Sequence, residues 1–521
     1  MRFIDFLKKN KLVLVISLGL LGGLVLRLAY AAHLPLSNDE GSYLYDGLLL
    51  SQGKWPFLTS FSRAPVLMFL TSGVVRVFGR SFLAGRMISI LAGLGSAWLL
   101  YLIGQRLINR RVGVLALLFY ALSAPCVVHT IYLHTQPLEL FFVLVGIWFV
   151  LREIGEIREM EETGGVGGFV LAGMFFGLAV LVRETAALYP AVAVAAILLL
   201  ARGIFWRRVW SALVLGVSSL AVWGSVWVFV VRRVGFARVR AVFLAIMTMH
   251  DTGEYMSFGF KMKKKFEIFY GALGENFLLY FLVVVFAVFL VARLVRVLRG
   301  AGRLGRNWVF LLLFVSVPFL FYGLYYRRLQ AEYLAEFMPA MVLMSAVALD
   351  QMIESVKGKM QSVKSFAVPI AIVFGLPLLA VNYRYQWEHQ HGGTFAPEAL
   401  GEVLNFLEDT VPPDEEIFTA AVIVPFLSGH KLAFDISRPV IFGYPHLAPE
   451  VKYALFPTDD EVLAHLAGHP VRWVIFDKTT RDTFFRGHPE IEKYLQENYN
   501  VVKVVPNDRT GTIIEIAARR E

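Results

Sequence analysis

The chain is short of charge. Asp, Glu, Lys and Arg supply 17% of its 521 residues, against 57% hydrophobic, where a soluble globular chain carries about 25% charged residues. It has a single cysteine, Cys126, set in an apolar block. That excludes an intrachain disulfide and a cysteine metal cluster, and a small packed core residue is its plainest role. The polar C-terminal part has no glycine-rich phosphate loop, so nothing supports a nucleotide site there. No internal repeat is found. His129, His134 and the pair His250-Asp251 show no metal-ligand spacing, so a divalent metal is unsupported and no metal site or cofactor is expected. Acids are also fewer than bases, giving a net charge of +10. In a chain this apolar, the informative question is where the positive charges sit.

The apolar residues come in blocks. Stretches such as 12–26, 209–231 and 277–291 approach or reach the roughly 20 helical residues that cross a hydrocarbon core of about 30 Å. Lys8, Lys9 and Lys11 before the first block, and Ala29-Tyr30-Ala31 after it, trace the outline of a signal peptide. Arg27 inside the run and the many spans that follow favour an uncleaved first helix. Candidate spans are roughly 12–32, 82–104, 112–131, 137–151, 166–182, 186–201, 210–231, 275–292, 308–325, 332–350 and 365–381.

The short apolar stretch 65–79, with Arg76 inside it and Arg80 just beyond, fixes the orientation of everything after it. If it lies along the membrane surface, the loops bearing Arg106-Arg110-Arg111, Arg202-Arg207-Arg208, Arg293 to Arg306 and Lys357-Lys359-Lys364 all fall on the side of Lys8-Lys9-Lys11. If it spans, all four fall on the other side. The positive-inside rule selects the first arrangement, with 65–79 an interfacial helix. The expectation is a multi-pass plasma-membrane protein with eleven spans, a cytoplasmic N-terminus and an external C-terminus.

Two parts follow, a membrane part over 1–382 and a soluble extracytoplasmic α/β domain over 383–521. In the latter, Pro397–Thr410, 459–468 and 489–499 read as helices and 416–421 and 472–477 as buried strands, with 501–505 and 512–517 as paired strands. The membrane part has two long outer segments, 33–81 and 232–274, and a short outer turn at 326–331. The cluster Arg232, Arg233, Arg238, Arg240 and Lys261 to Lys265 in 232–274 reads as attraction to anionic headgroups.

Pro35-Leu36-Ser37-Asn38-Asp39-Glu40, just past the first span, is the sharpest chemical feature. Two readings stay open. Asp39 and Glu40 can serve as a general base at the membrane surface, or Ser37 or Asn38 can cap a helix over about 40–52 whose first-turn acids suit its dipole. Arg63, Arg183, Arg327 and Arg328 all fall on the outer side, against the charge bias, at the depth of Asp39. Each alone reads as snorkelling. Together around a carboxylate they suggest a phosphate ligand whose tail lies in lipid.

In this order the motifs resemble the membrane glycosyltransferases of the GT-C fold, among them the dolichyl-phosphate-mannose–protein mannosyltransferases and the lipid A aminoarabinose transferases. Asp39-Glu40 with Tyr43 is similar to the acidic motif after the first helix. Gly53-Lys54-Trp55-Pro56 followed by Arg63-Ala64-Pro65 resembles a Gly-x-x-Pro and basic-Pro-Pro stretch. Gly177–Arg183 resembles Gly-Leu-Ala-x-Leu-x-Lys/Arg, and Tyr333-Leu334 with Pro339 resembles Tyr-Leu-x-x-x-x-Pro. The C-terminal domain, with Val424-Pro425-Phe426, is similar to those of archaeal and bacterial members. Ser62 and Arg63 stand where relatives place an acid, Ala64 replaces a proline, and Ser42 replaces an arginine, which leaves the acceptor open. The resemblance implies a polyprenyl- or dolichyl-phosphate sugar as donor and a protein, lipid or glycan as acceptor. It implies Asp39 and Glu40 as catalytic residues, and Arg63, Arg183, Arg327, Arg328, Tyr333 and Tyr43 as the phosphate-binding set. No nucleic-acid partner is expected. Two classes compete: a transporter or flippase for a phosphorylated lipid, for which repeats and helix breaks near the midplane are the signature, and a receptor-like protein whose outer domain binds a ligand, which leaves the outer arginines unexplained.

Overall fold

The computed structural model describes residues 11–55, 64–156, 166–201, 204–248, 276–301, 303–321, 331–357, 395–436, 457–468, 471–477, 484–507 and 511–520, with a few isolated positions. Arg63, Arg327, Arg328, His250, Asp251 and the expected span 365–381 lie outside them. In chain order the helices of the apolar part are α1 (Lys11–Ala31), α2 (Asn38–Ser51), α3 (Pro65–Phe78), α4 (Phe82–Leu107), α5 (Arg110–Leu122), α6 (Ala124–His129), α7 (Thr135–Glu156), α8 (Gly167–Val182), α9 (Leu188–Leu200), α10 (Phe205–Val234), α11 (Phe236–Thr248), α12 (Phe277–Leu298), α13 (Arg306–Pro318) and α14 (Met338–Lys357). Among the described residues five helical stretches are long and apolar enough to cross a membrane: α1, α4, α10, α12 and Tyr333–Ser355. The chain is a mostly helical, multi-span membrane protein.

α3 has 14 residues, about 21 Å at 1.5 Å per residue, less than the roughly 30 Å of a hydrocarbon core. One side of it (Leu67, Met68, Thr71, Val75) is buried, whereas Phe69, Leu70, Val77 and Phe78 are exposed. The stretch expected as one span over 112–131 is broken. α5 ends at Leu122, and α6 restarts at Ala124-Pro125, where proline suits a helix start but removes an N–H from a helix interior. Arg27 fills this break. Although fully buried, it donates to the carbonyls of Tyr120 (3.2 Å) and Ala121 (2.8 Å), to that of Gly23 (3.0 Å) and to Thr130 Oγ1 (2.8 Å). A cation in the apolar run is thus held by the electronegative end of α5.

The C-terminal part contains α15 (Pro397–Thr410), β1 (Glu416–Thr419), α16 (Ile423–Ser428), β2 (Lys431–Leu432), α17 (Asp459–Gly468), β3 (Trp473–Phe476), α18 (Pro489–Asn498), β4 (Tyr499–Asn507) and β5 (Thr512–Arg519). The strands form one mixed sheet in the order β2-β1-β3-β5-β4. β2, β1 and β3 are parallel, and β5 pairs antiparallel with both β3 and β4. The helix and strand periods expected from the sequence are found here, apart from the short edge strand β2.

This sheet does not have its core to itself. Leu36, Tyr43, Leu44 and Leu48 from α2 and its lead-in, and Leu67 and Val75 from α3, share one apolar cluster with Phe395, Leu400, Ile423, Phe426 and Trp473. Leu36 and Phe395 exchange both backbone hydrogen bonds, at 2.8 and 3.1 Å. α2 and α16 approach so closely that a Cβ on Gly41 would stand 2.9 Å from the Ile423 backbone nitrogen. Asp435 accepts from Tyr45 Oη at 3.1 Å and pairs with Lys54. Phe434 and Asp435 reach there with φ of 67° and 51°, a left-handed conformation that costs non-glycine residues energy and survives where surroundings enforce it.

Candidate active site

The helix that carries Asp39 is held from its first residue. Ser37 is the N-cap of α2: its Oγ accepts from the Glu40 amide at 3.1 Å, and its own amide donates to Glu40 Oε2 at 3.1 Å, a reciprocal capping box. Arg86 on α4 closes on the same carboxylate with two bonds of 2.8 Å, Nε to Oε1 and Nη2 to Oε2. The Leu133 amide donates to Oε1 at 3.0 Å. Glu40 and Arg86 are 1% and 0% exposed. Arg86 also donates to the carbonyls of Ala31, Leu34 and Pro35 at 2.5, 3.2 and 3.0 Å, tying the exit of α1 to α4. Burial pushes the Glu40 carboxyl up, but the Arg86 guanidinium and the Leu133 N–H outweigh it and hold it below the usual carboxylate range.

Asp39, one residue earlier, is half-buried. It is rotated about 100° around the helix from Glu40. Tyr43, a turn further on, is buried in the apolar cluster shared with the sheet. Of the open pair of readings, the capping one is seen directly, with Glu40 completing the cap, and Asp39 is the more accessible of the two acids.

A second charged cluster stands nearby. Arg183 follows the last residue of α8 and is buried. Its Nη1 donates to Glu336 Oε1 at 3.1 Å, its Nε lies 3.9 Å from Glu139 Oε2, and its guanidinium lies 4.6 Å from the Tyr333 ring centroid. Thr185 Oγ1 donates to Glu139 Oε1 at 3.4 Å. Glu139 is on the second turn of α7, and Glu336 and Tyr333 are on the 3-10 helix Ala331–Phe337. Arg183 and Tyr333, distant in sequence, are therefore neighbours. The clusters are linked through the start of α7, where Leu133 contacts Glu40 and His134 Nε2 lies 3.1 Å from Ser37 Oγ.

Arg86, Glu139 and Glu336 escape motif reading. Each has a signal, though, since an ionisable residue within or beside an apolar run is a functional or paired position by default. Among the described residues no group of three or more His, Cys, Asp or Glu side chains converges as a metal site would require. Arg238 and Arg240 lie on α11, and Arg232 and Arg233 end α10.

Residues 62–229 match the family model described as dolichyl-phosphate-mannose-protein mannosyltransferase. Solved structures share the architecture at low identity. ArnT from Cupriavidus metallidurans, solved bound to undecaprenyl phosphate, is 16% identical with a TM-score of 0.58, over 97% of this chain and 98% of its own. The oligosaccharyltransferase AglB from Archaeoglobus fulgidus, solved with an inhibitory peptide and a dolichol-phosphate, is 13% identical with a TM-score of 0.56, over 91% of this chain and 70% of its own. The same archaeal enzyme tethered to an acceptor peptide matches at 12% identity and a TM-score of 0.57, over 99% and 75%. No curated protein sequence matches this chain. The fold is that of the GT-C membrane glycosyltransferases, and residues 62–229 carry the mannosyltransferase family match.

Proposed function

We propose that the protein moves a sugar (mannose or another hexose or pentose) from a polyprenyl or dolichyl phosphate to an acceptor hydroxyl at the outer membrane face, with inversion. Asp39 takes the proton of the acceptor hydroxyl as its oxygen attacks the anomeric carbon. The bond from that carbon to the phosphate oxygen breaks, and the electron pair leaves on the lipid phosphate. Arg63, Arg327 or Arg328, and Arg183 beside Tyr333 stabilise that charge. In this reading Glu40 works through Asp39, by fixing the helix start, and phosphate reaches Arg183 in competition with Glu336. The orientation is that expected from the charges: eleven spans, with 383–521 outside.

The observation that carries the reading is the pairing of a half-buried Asp39 with a neighbouring acid whose carboxylate is fully engaged by Arg86, Ser37 and Leu133. Such a brace suits a base that must keep its position. The lipid phosphates bound by the two similar enzymes support the choice of donor, and the acceptor is a protein, lipid or glycan hydroxyl. Asp39→Asn tests it in membranes supplied with a radiolabelled polyprenyl-phosphate sugar. Transfer should fall by about 10²–10⁴-fold, the usual weight of general-base catalysis, with insertion and lipid-phosphate binding retained. Undiminished turnover rejects the assignment. Movement of the labelled lipid without its cleavage, in the unmodified protein, identifies a transporter instead.

A further inference from the structure

A cavity bounded by described residues lies at the end of the helix bundle away from Asp39. Its volume is about 580 Å³, within the roughly 300–1,000 Å³ usual for ligand sites. It opens where the last turns of α4, α7 and α9 meet the first turn of α13. Along α4 the distance from Arg86 to Arg106 is about 30 Å at 1.5 Å per residue, so this is a different place from the one described above. Trp148, Leu200 and Phe310 form an apolar floor, and Arg106, Arg306 and Asn307 a polar rim. None of its described lining residues is a carboxylate.

Several cations at this end are committed to other partners. Arg111 pairs with Asp350 at 2.9 Å and with Glu354. Arg293 lies 4.7 Å from the Trp308 ring centroid. Arg208 donates to the Leu198 carbonyl at 3.3 Å, and Arg106 to the carbonyls of Leu151 and Arg152 at 3.2 and 3.0 Å. Arg306 makes no hydrogen bond or ion pair with any described residue. It also opens α13 after Gly305, which offers no capping side chain, so a cation adds to an already electropositive helix start. Among the described residues this place is short of an anion.

A free anion would match the rim and leave the Trp148–Leu200–Phe310 floor against water. A purely apolar molecule would fill the floor and leave Arg306 unmatched. A lipid phosphate satisfies both, with its head at the arginines and the first carbons of its tail on the floor. The tryptophan at the edge of an apolar bundle fits the headgroup level of a bilayer. We infer that this groove binds the headgroup of a membrane lipid with a net-anionic phosphate, at a site separate from the one around Asp39.

Native mass spectrometry of the full-length protein in detergent tests this, with phosphatidylglycerol, phosphatidylcholine, undecaprenyl phosphate and inorganic phosphate as probes. Arg306→Gln removes the charge and keeps the groove. Gln105→Trp, at an exposed lining position, fills the mouth and keeps the charge. Both variants should lose one bound phospholipid or polyprenyl phosphate, with affinity falling about five- to tenfold, the weight of one basic residue or charged hydrogen bond at a headgroup. Whether phosphatidylglycerol or undecaprenyl phosphate supplies that adduct identifies the lipid. Loss in Arg306→Gln but not in Gln105→Trp would mean diffuse charge attraction and no built site. Equal retention of phosphatidylcholine, displacement by millimolar inorganic phosphate, or no change in either variant would overturn the inference.

Discussion

Two buried ionic clusters lie side by side in this protein and are built on opposite rules. In the first, one carboxylate meets one guanidinium, and the oxygens of Glu40 are shared among Arg86, the Ser37 amide and the Leu133 amide. In the second, one guanidinium serves two fully buried carboxylates, and Glu139 is reached by Arg183 only at 3.9 Å. A balanced, fully bonded pair has nothing to gain by moving, so it locks α1, α2, α4 and the start of α7 together. Among the described residues the second cluster sets two acidic side chains against one guanidinium, an arrangement in which Arg183 can exchange partners. The balanced pair stands beside the proposed base, and the unbalanced one beside the proposed phosphate clamp.

The comparison breaks most visibly at Arg86. Arg86→Met leaves Glu40 buried without its cation and should cost about 3–5 kcal/mol, read as lost folding in denaturant titration of the purified protein. If Glu40 and Arg86 are replaced together by apolar residues of similar size, most of that loss should be regained, because a buried pair is worth little more than good packing.

The same pair gives a pH signature. The Glu40 carboxyl is held below its ordinary value in the folded protein. The stabilisation is therefore fully present above the ordinary carboxylate range and is lost as pH falls through the lowered folded value. Thermal unfolding of the unmodified protein should weaken on acidification below about pH 4, and the doubly apolar variant should show a smaller acid step.

Glu336→Gln sharpens the other side of the comparison. It removes a competitor for Arg183, so donor binding should tighten by about tenfold, the weight of one charged hydrogen bond, seen as a lower KM for the lipid-phosphate sugar. Weaker donor binding in that variant would mean that Glu336 positions Arg183 for phosphate and does not compete with it. The smallest effect is expected at Asp435, whose pairing with Lys54 is half exposed. Asp435→Asn keeps a residue that tolerates the left-handed backbone and should cost under about 1 kcal/mol, measured by the same titration.

How much of this is visible in the chain follows from separation in sequence. The cap of α2 is local. Ser37 and Glu40 stand three residues apart, so both the helix and its acidic first turn can be read from the string, and the same holds for the alternating strands of the sheet. Arg86 is 46 residues from Glu40, and Glu336 is 153 from Arg183, so nothing local couples them. The break at Ser123 is missed because 112–131 has the hydropathy of a span, while a single proline and the distant Arg27 decide its path. The shared core of α2, α3 and the sheet is likewise hidden, because each part carries an acceptable amphipathic pattern of its own.

That shared core sets an order of events during synthesis. Tyr45 has to wait 390 residues for Asp435, which at roughly 5–20 residues per second is about 20–80 seconds. Throughout that time the apolar faces of α2 and α3 have no partner sheet, and the segment bearing Asp39 is a client for chaperones or for the membrane surface itself. Shortening the chain from its C-terminal end would leave α2 waiting indefinitely, so the last part to be made is what releases the first part from quality control.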